Sequence, residues 1–540
     1  MPHRLTMRPG RVLLLAVAAL LVVALVPGQA AAGAKACDNR MNNTYDKLLE
    51  CVTLDGVREH QAALQEIADA NDDPFYPGTR AAGTEGYDES AEYVADQMRR
   101  AGYRVSLDPV NVTFNFPAVL RQLTPVAATY PTGVFTGSGS GTVQGPVIPV
   151  DINLVPPRAS SSGCEDADFA GLNFSGANDI ALVQRGTCNF GDKAENAQQA
   201  GAEAVIIFNQ GNAADRMDLI VANASTRTDG STVLHSIPVV GASFAQGEAL
   251  AQPGSTAFVQ VRPAETRQDF NVIAEKTGVN DDNVVMAGAH LDSVIQGPGI
   301  QDNGTGSAAL LETAQMIAKL KPQNTIRFGW WAAEEQGLVG SRDYVTGLSQ
   351  AERDRIALYM NYDMIGSPNY FFGVYDADQS TFPAPAGVPI PPGSEAIEDV
   401  YESYYTLVGE PYDDSEFSGR SDYQAFIQNG IPAAGLFTGA EVPKTAQQQA
   451  IWGGVAGEAF DQCYHQACDD YDNIDLHAFE VNSDLVAFAQ LTFAYSTETV
   501  NGVPGKPVPE SGALPEPAGP EGTFAGPLGG EHPHDHDSVD

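Results

Sequence analysis

The sequence predicts an α/β protein with a mixed, mainly parallel central sheet flanked by helices and with a β-rich insert. Three observations carry this prediction. From 263 to 498, buried strand patterns alternate with helical patterns, as in a parallel sheet covered by helices. From 126 to 262, short apolar runs alternate with turns around a helical stretch at 193–200. Residues 35–125 begin with helical patterning and continue into β-rich sequence.

Residues 1–32 have the pattern of a signal peptide. A basic start precedes the apolar stretch 12–26, and the small residues at 28–32 fit a cleavage site. The apolar stretch is too short to span a membrane comfortably. We therefore expect a secreted, extracellular protein that has no membrane attachment once this segment is removed.

The charge and the cysteines agree with export. There are 29 Lys and Arg against 69 Asp and Glu, a formal net charge of −40, which disfavours nucleic acid and anionic membranes as partners. Six cysteines allow 15 pairings, and disulfides between near neighbours are the simplest arrangement in an oxidising compartment. The near pairs are Cys37 with Cys51, Cys164 with Cys188, and Cys463 with Cys468.

The periodicity places elements along the chain. An amphipathic helix ends at Gly102. Its apolar face consists of Tyr87, Ala91, Val94, Ala95 and Met98. The region after 270 predicts strands at 284–289, 325–332, 356–362 and 431–437 and helices at 307–320 and 484–495. The tail 499–540 is rich in Pro, Gly and Glu, so we expect it to be disordered.

Polar residues follow the ends of three predicted strands. They are His290 with Asp292, Glu334 with Glu335, and Asp363; Asp302 lies in a Gly-rich turn that leads into a helix. Ligands of open α/β sheets bind beyond the carboxyl ends of the strands, where such side chains meet. Of the three histidines between 270 and 500, His290 and His465 lie in settings that suit a metal.

Histidine and carboxylate ligands without thiolates favour zinc or a related divalent ion. The five residues His290, Asp302, Glu335, Asp363 and His465 are too many for one tetrahedral catalytic zinc. They suit two metals about 3.5–4 Å apart, bridged by one carboxylate. Adjacent acidic residues can take different roles: Glu335 can bind a metal while Glu334 accepts a proton.

The chain also resembles the zinc-dependent aminopeptidases of secreted bacterial and yeast vacuolar type. The resemblance covers about 230 residues in order. It rests on AGAHLDSV (287–294), GIQDNGTGSAALLE (299–312), FGWWAAEEQGLVGSRDYV (328–345), YMNYDMIGSPN (359–369), GRSDYQAF (419–426), GLFTGAE (435–441) and FDQCYHQACD (460–469), with RAAGTEGYDESAEYV (80–94) upstream.

The resemblance implies roles for the metal ligands. Asp302 would bridge two zinc ions, with His290 and Asp363 completing one site and Glu335 and His465 the other. It also implies a cis peptide after Asp302.

Further roles follow from the same resemblance. Glu334 would be the general base and then the acid, and Tyr464 would donate a hydrogen bond to the oxyanion. Asp292 would orient His290, and Arg420 would position the substrate. Many relatives have His where this chain has Tyr423, a departure whose effect we expect to be limited to packing.

The insert resembles the protease-associated (PA) module of secreted peptidases, chiefly through 181–190, 193–201 and 204–208. It would control substrate access, contact a partner, or be a passive insert. Glu480 and Asp484 lie four apart on one predicted helix face, and the family hints at a structural calcium ion there. Two solvated carboxylates are the alternative. His532, His534 and His536 could bind metal weakly, although a tail without function is the simpler interpretation.

The predicted function is that of a secreted, monomeric two-zinc aminopeptidase acting on peptides with a free N-terminus, preferably with large apolar first residues. Three alternatives stay open at this point. A carboxypeptidase for acidic residues would need a basic pocket, for which Arg420 is the obvious candidate. A glutaminyl cyclase would hold one zinc. A receptor-like relative without activity would have lost ligands.

Overall fold

The computed structural model describes residue 37 and residues 39–524, so the predicted signal segment 1–32 lies outside the described part. The chain divides into a first unit, Met1–Met41, and a second, Asn42–Asp540. The second unit contains both of the sheets that the structure describes. Among the described residues, no helix has both the length and the apolar content to cross a membrane.

Helices and strands alternate along the second unit. The helices are Tyr45–Leu49 (α1), Leu54–Ala70 (α2), Glu85–Ala101 (α3), Phe190–Ala200 (α4), Phe244–Leu250 (α5), Gly304–Met316 (α6), Val339–Gly347 (α7), Gln350–Arg353 (α8), Ser394–Val408 (α9), Tyr423–Gln428 (α10), Ala446–Trp452 (α11), Leu476–Tyr495 (α12) and Glu498–Asn501 (α13). The strands are Arg104–Phe114 (β1), Val119–Thr124 (β2), Ala128–Tyr130 (β3), Gly141–Pro149 (β4), Ile180–Gln184 (β5), Ala204–Phe208 (β6), Val239–Ala242 (β7), Thr256–Val261 (β8), Glu265–Lys276 (β9), Asn280–His290 (β10), Asn324–Trp331 (β11), Ile356–Tyr362 (β12), Gly373–Tyr375 (β13), Asp413–Ser415 (β14) and Ala433–Phe437 (β15).

The larger sheet has eight strands in the order β1-β9-β11-β10-β12-β15-β13-β14. Its centre is parallel, since β10 pairs in parallel with both β11 and β12, and β12 pairs in parallel with β15. The edge pairs β1–β9 and β9–β11 are antiparallel. This is the mixed, mainly parallel sheet that the sequence predicts.

Helices cover both faces of this sheet, so its central strands are apolar on both sides. Residues 283–290 of β10 and all of β12 are buried. One core cluster joins this sheet to α6 and α12, through Leu310 and Leu485 among others. A second cluster on the opposite face includes Trp331 and Tyr359.

Helix α3 follows the predicted pattern. The Thr84 side chain accepts a hydrogen bond from the Tyr87 N–H at its start, and Gly102 ends it with φ 90° in the left-handed region. The five apolar residues of the predicted face are all buried. Helix α12 begins earlier than predicted, at Leu476 rather than 484, because polar residues of its first turns obscure the apolar pattern.

The second sheet has seven strands in the order β3-β2-β8-β4-β5-β6-β7 and contains the predicted insert. It starts with β2 at Val119, before the predicted boundary at 126. The composition changes only after β2, which explains the difference. The insert leaves the larger sheet after β1 and returns to it at β9, and these two strands pair along their whole length.

The tail differs from the prediction of disorder over its described residues, 499–524. The backbone N–H groups of Gly522 and Thr523 donate to the buried Asp413 carboxylate, at 3.0 and 2.8 Å. The Phe524 ring packs against Phe371, with the centroids 5.2 Å apart. The body of the protein thus supplies the hydrogen bonds and apolar contacts that the tail's own composition lacks. The three tail histidines lie outside the described residues.

Two predicted disulfides are present, Cys164–Cys188 and Cys463–Cys468. Neither Cys37 nor Cys51 is free, and their pairing with one another stays a prediction.

Candidate active site

Three strand ends meet at one edge of the larger sheet. His290 is the last residue of β10 and lies in register with Trp331, the last residue of β11. Glu334 and Glu335 follow β11 after two alanines, and Asp363 directly follows β12. Parallel pairing brings these carboxyl ends together, as the sequence predicts.

Asp302 reaches the same place from the loop between β10 and α6. Its own N–H and that of Gln301 donate to the Asp469 carboxylate, at 3.0 and 2.8 Å. The Asp302–Asn303 peptide is cis, as the family resemblance implies. His465 comes from the turn that the Cys463–Cys468 disulfide closes.

Asp302 lies between the two histidines. Its Oδ1 is 3.1 Å from His290 Nε2, and its Oδ2 is 3.3 Å from His465 Nε2. Beyond them, His290 Nε2 is 3.3 Å from Asp363 Oδ1, and His465 Nε2 is 3.1 Å from Glu335 Oε2. The five side chains therefore form two groups of three that share Asp302, each with ligand atoms within 4.8 Å of one another.

These groups fit divalent cations. Glu335 Oε1 and Asp363 Oδ1 are buried and accept no hydrogen bond. A buried carboxylate oxygen without a partner is costly, and a cation would satisfy it. Nitrogen and oxygen donors without sulfur suit zinc. His290, Asp302 and Asp363 could hold one ion, and Asp302, Glu335 and His465 a second.

The charges of this centre are strongly coupled. Burial lowers the pKa of His290, but the charges of Asp363 and Glu334, together with hydrogen bonds to Asp292 and Asp302, outweigh burial and raise it well above its usual value. Burial opposes ionisation of Asp302, yet hydrogen bonds from His290 and His465 hold its pKa below the usual range. The carboxylates thus favour a positive charge at His290, and Asp302 keeps a negative charge between the two histidines.

Glu334 is 4% exposed and is a neighbour of His290. Burial raises the pKa of Glu334 well above its usual value; His290 opposes the rise, and the charges of Asp363 and Glu335 add to it. A carboxylate in this environment accepts a proton readily, as a general base must.

Asp292 organises the centre in two ways. Its Oδ1 lies 3.6 Å from His290 Nδ1, where the sequence predicts an orienting carboxylate. Its two oxygens also accept the backbone N–H groups of Glu334 and Glu335, at 3.1 and 3.3 Å. One buried side chain therefore holds both a histidine and the turn that carries the two glutamates.

The backbone is strained beside the site. Ala333, Met364 and His465 have φ of 53°, 55° and 55°, in the left-handed region that favours glycine. Each such residue costs about 1–3 kcal/mol, and clusters of them are typical of functional sites. Ala333 directly precedes the glutamate pair and Met364 directly follows Asp363, so the strained residues adjoin the predicted site residues.

Several supporting residues were missed by sequence reasoning. Ser421 Oγ donates to Asp363 Oδ2 at 2.5 Å. Arg80, fully buried, donates to the backbone oxygens of Leu291, Pro298 and Gly299, and so holds the loop before Asp302. Arg80, Ser421 and Asp469 all lie within the segments that resemble the family. None of them follows the end of a predicted strand, which was the pattern used to select the candidate ligands.

A cavity of about 550 Å³ opens onto the centre. Tyr464 lines it, with its ring stacked on His465 at 3.8 Å between centroids. Arg420 also lines it and pairs with Glu441 at 3.0 Å. Tyr423 is buried and does not line the cavity, and its hydroxyl accepts the Gly419 N–H at 2.7 Å. The apolar lining includes Met364, Phe371, Tyr375, Phe437, Val442, Phe460 and Phe524.

The predicted calcium ligands lie apart from this centre, on α12. Burial, and then the charge of Glu480, raise the pKa of Asp484 to about 7. Among the described residues, this pair belongs to no group of three potential ligands. A calcium ion there stays a prediction.

Comparisons with known proteins identify the family of the chain. Residues 271–490 match peptidase family M28, and residues 143–250 match the PA domain. An aminopeptidase of Pseudomonas aeruginosa is 44% identical over 84% of this chain and 83% of its own length. A probable leucine aminopeptidase 2 of Aspergillus fumigatus is 37% identical over 78% of this chain and 80% of its own.

Solved structures extend the comparison. BSAP, a zinc aminopeptidase from Bacillus subtilis, is 25% identical with a TM-score of 0.56, over 81% of this chain and 94% of that one. An aminopeptidase from Aneurinibacillus is 25% identical with a TM-score of 0.53, over 87% and 98%. The chain belongs to peptidase family M28, as a metalloaminopeptidase with a PA domain.

Proposed function

We propose that this aminopeptidase uses two zinc ions and removes large apolar residues from the N-terminus of peptides. The observation that carries the proposal is the pair of ligand groups that share Asp302. His290 and Asp363 would complete one zinc site with Asp302, and Glu335 and His465 the other. Zinc bound there would lower the pKa of a water molecule and polarise the substrate carbonyl.

The protein's own groups would handle the protons and the developing charge. Glu334 would accept a proton from the attacking water and return it to the nitrogen of the leaving amine. Tyr464 would donate a hydrogen bond to the oxyanion, where preorganised donors are most effective. Asp292 would keep both His290 and the glutamate turn in place through its two carboxylate oxygens.

The cavity supports the choice of substrate. Its acidic lining, including Glu335, Glu416 and Glu441, would attract the positively charged N-terminus of a peptide. Its apolar lining suits a large apolar first side chain. Among the described residues that line the cavity, Arg420 is the one Lys or Arg, and it is paired with Glu441. This disfavours a carboxypeptidase for acidic residues.

We further propose that the protein is secreted after removal of residues 1–32 and acts as a monomer. The disulfides Cys164–Cys188 and Cys463–Cys468 support an oxidising compartment. The insert, which we assign to 119–261 in place of the predicted 126–262, would govern access to the cavity or contact a partner.

The test combines kinetics with metal analysis on one sample. Leucine anilide should be hydrolysed, a chelator should abolish hydrolysis, and zinc should restore it with about two ions per chain. A panel of first residues should favour Leu and Phe over Asp and Glu. Protein that holds two zinc ions but hydrolyses none of these substrates would refute the proposal.

A further inference from the structure

A second group of carboxylates lies outside the zinc ligands, between the loop after β13, helix α9 and strand β14. This group, the acidic cluster, consists of Asp376, Asp378, Glu398, Glu402 and Asp414. Asp376, Glu398 and Asp414 are at most 3% exposed, and Glu402 is 9% exposed. Acidic residues are rarely this buried unless a positive charge or a hydrogen-bond donor compensates them.

The cluster has the spacing of a cation site. Asp376, Asp378 and Glu398 present oxygens within 4.8 Å of one another, and so do Glu398, Glu402 and Asp414. Glu398 belongs to both groups. Oxygens bound to one calcium ion at about 2.3–2.6 Å lie no more than about 5 Å apart, so these distances are compatible with shared coordination.

Hydrogen bonds satisfy only part of the cluster. Backbone N–H groups of the loop donate to Asp376, and those of Ala377 and Asp378 donate to Glu398 Oε2. Asp414 Oδ2 accepts the Ser380 hydroxyl at 3.1 Å. Asp414 Oδ1, however, is fully buried and accepts no hydrogen bond. An unpartnered carboxylate oxygen inside a group of carboxylates indicates a missing positive charge.

Among the described residues, the charges that act most strongly on the cluster do not supply it. The charges that act most strongly on Glu402 are those of Asp414, Asp399, Asp378 and Asp376, all of them acidic. Burial, and then Glu402 and Asp378, raise the pKa of Glu398 to about 10. Without a cation the cluster would have to retain protons at neutral pH, and a bound cation would replace them.

We propose that the acidic cluster binds a calcium ion. The donors are all oxygen, which suits a hard cation, and several carboxylates on three separate chain segments suit the larger, irregular coordination of calcium better than the octahedron of magnesium. The ion would tie the loop after β13 to α9 and β14. Tyr375 and Ser415, the neighbours of Asp376 and Asp414, line the active-site cavity, so calcium would stiffen its wall.

The test compares the full-length, zinc-loaded wild type with Glu402→Gln and Glu395→Gln. Both variants remove one negative charge from α9, but Glu395 lies outside the cluster and is exposed. Calcium binding is measured by equilibrium dialysis, with the zinc content followed throughout. We expect Glu402→Gln to lose one calcium ion per chain, or to bind it at least tenfold more weakly, while Glu395→Gln binds as the wild type does.

Thermal unfolding gives a second measurement that loss of folding cannot imitate. Without calcium, Glu402→Gln should unfold at or above the wild-type temperature, because the amide is neutral without having to retain a proton. With calcium, the wild type should gain roughly 2–5 °C and the variant less. No gain for the wild type, an equal gain for both proteins, or an equal gain with magnesium at the same concentration would overturn the proposal.

Discussion

Glu334 and Glu335 are adjacent in the chain but have different surroundings. Glu335 Oε2 lies 3.1 Å from His465 Nε2. Glu334 instead feels chiefly the charges of His290 and Asp363. Asp292 accepts the backbone N–H groups of both residues and so holds the turn that carries the pair.

This division predicts the effect of Glu334→Gln. The amide keeps the size of the side chain but cannot accept a proton, so kcat should fall by about 10²–10⁴-fold. KM and the zinc content should change little, because Glu334 is not a proposed ligand. Steady-state kinetics and metal analysis measure these quantities. Glu395→Gln, which is exposed on α9 and lies outside the cavity lining, is the control and should retain kcat. Loss of zinc from Glu334→Gln would instead make Glu334 a ligand.

The shared position of Asp302 predicts a difference in metal content between two variants. Asp302→Asn weakens both ligand groups, so it should lose both zinc ions. His465→Ala removes one ligand from one group, so it should retain about one ion per chain. Zinc is counted after dialysis, with circular dichroism to verify the fold. Retention of two ions by Asp302→Asn would exclude the bridging role.

At the scale of elements, strand ends were the most informative signal in the sequence. The parallel strands are buried on both faces, so each appears in the sequence as a continuous apolar run. The polar residue at the end of such a run is therefore easy to identify. His290, Asp363 and the glutamate pair were predictable on this ground. His465 was harder to place, because its turn follows no strand and its role rested on the family resemblance.

Supporting contacts were less predictable for a physical reason. Asp469 holds the backbone of Gln301 and Asp302 across a separation of more than 160 residues, and no local pattern encodes such a pairing. Strand β2, which belongs to the insert, lies before the change in composition that suggested the boundary at 126. Composition reports on local sequence, whereas sheet membership depends on distant partners.

The turn that carries His465 gives a prediction at this scale. Its disulfide joins residues five apart, whereas Cys164–Cys188 joins residues 24 apart in the insert. Loop entropy predicts that replacing both cysteines by Ser costs about 2 kcal/mol in the turn and roughly 3–4 kcal/mol in the insert.

The effect on zinc binding should be larger for the turn disulfide than for the insert disulfide, the opposite of the order for stability. Cys463→Ser with Cys468→Ser should weaken the His465 zinc site, and Cys164→Ser with Cys188→Ser should leave the zinc content unchanged. Denaturant unfolding and zinc analysis of the two double variants test both expectations. Equal zinc content in the two variants would mean that the disulfide does not position His465.

At the scale of the whole molecule, the tail shows why composition alone misleads. Residues 502–524 are rich in Pro and Gly, which predicts disorder for an isolated segment. In the folded protein, Asp413 accepts hydrogen bonds from Gly522 and Thr523, and Phe524 reaches the lining of the active-site cavity. The body of the protein provides contacts that the segment could not provide for itself.

A chain ending at 501 should consequently be less stable than one ending at 524. Truncation removes the donors of Asp413, which is fully buried, and leaves a carboxylate with too few partners. We expect a loss of about 2–5 kcal/mol, measured by denaturant unfolding. Asp413→Asn should then have opposite effects on the stability of the two chains. It should destabilise the chain ending at 524, where the Asp413 carboxylate is hydrogen-bonded to the tail. It should partly restore the stability of the chain ending at 501, where those hydrogen bonds are missing. An equal loss in both chains would mean that the tail does not stabilise the fold through Asp413.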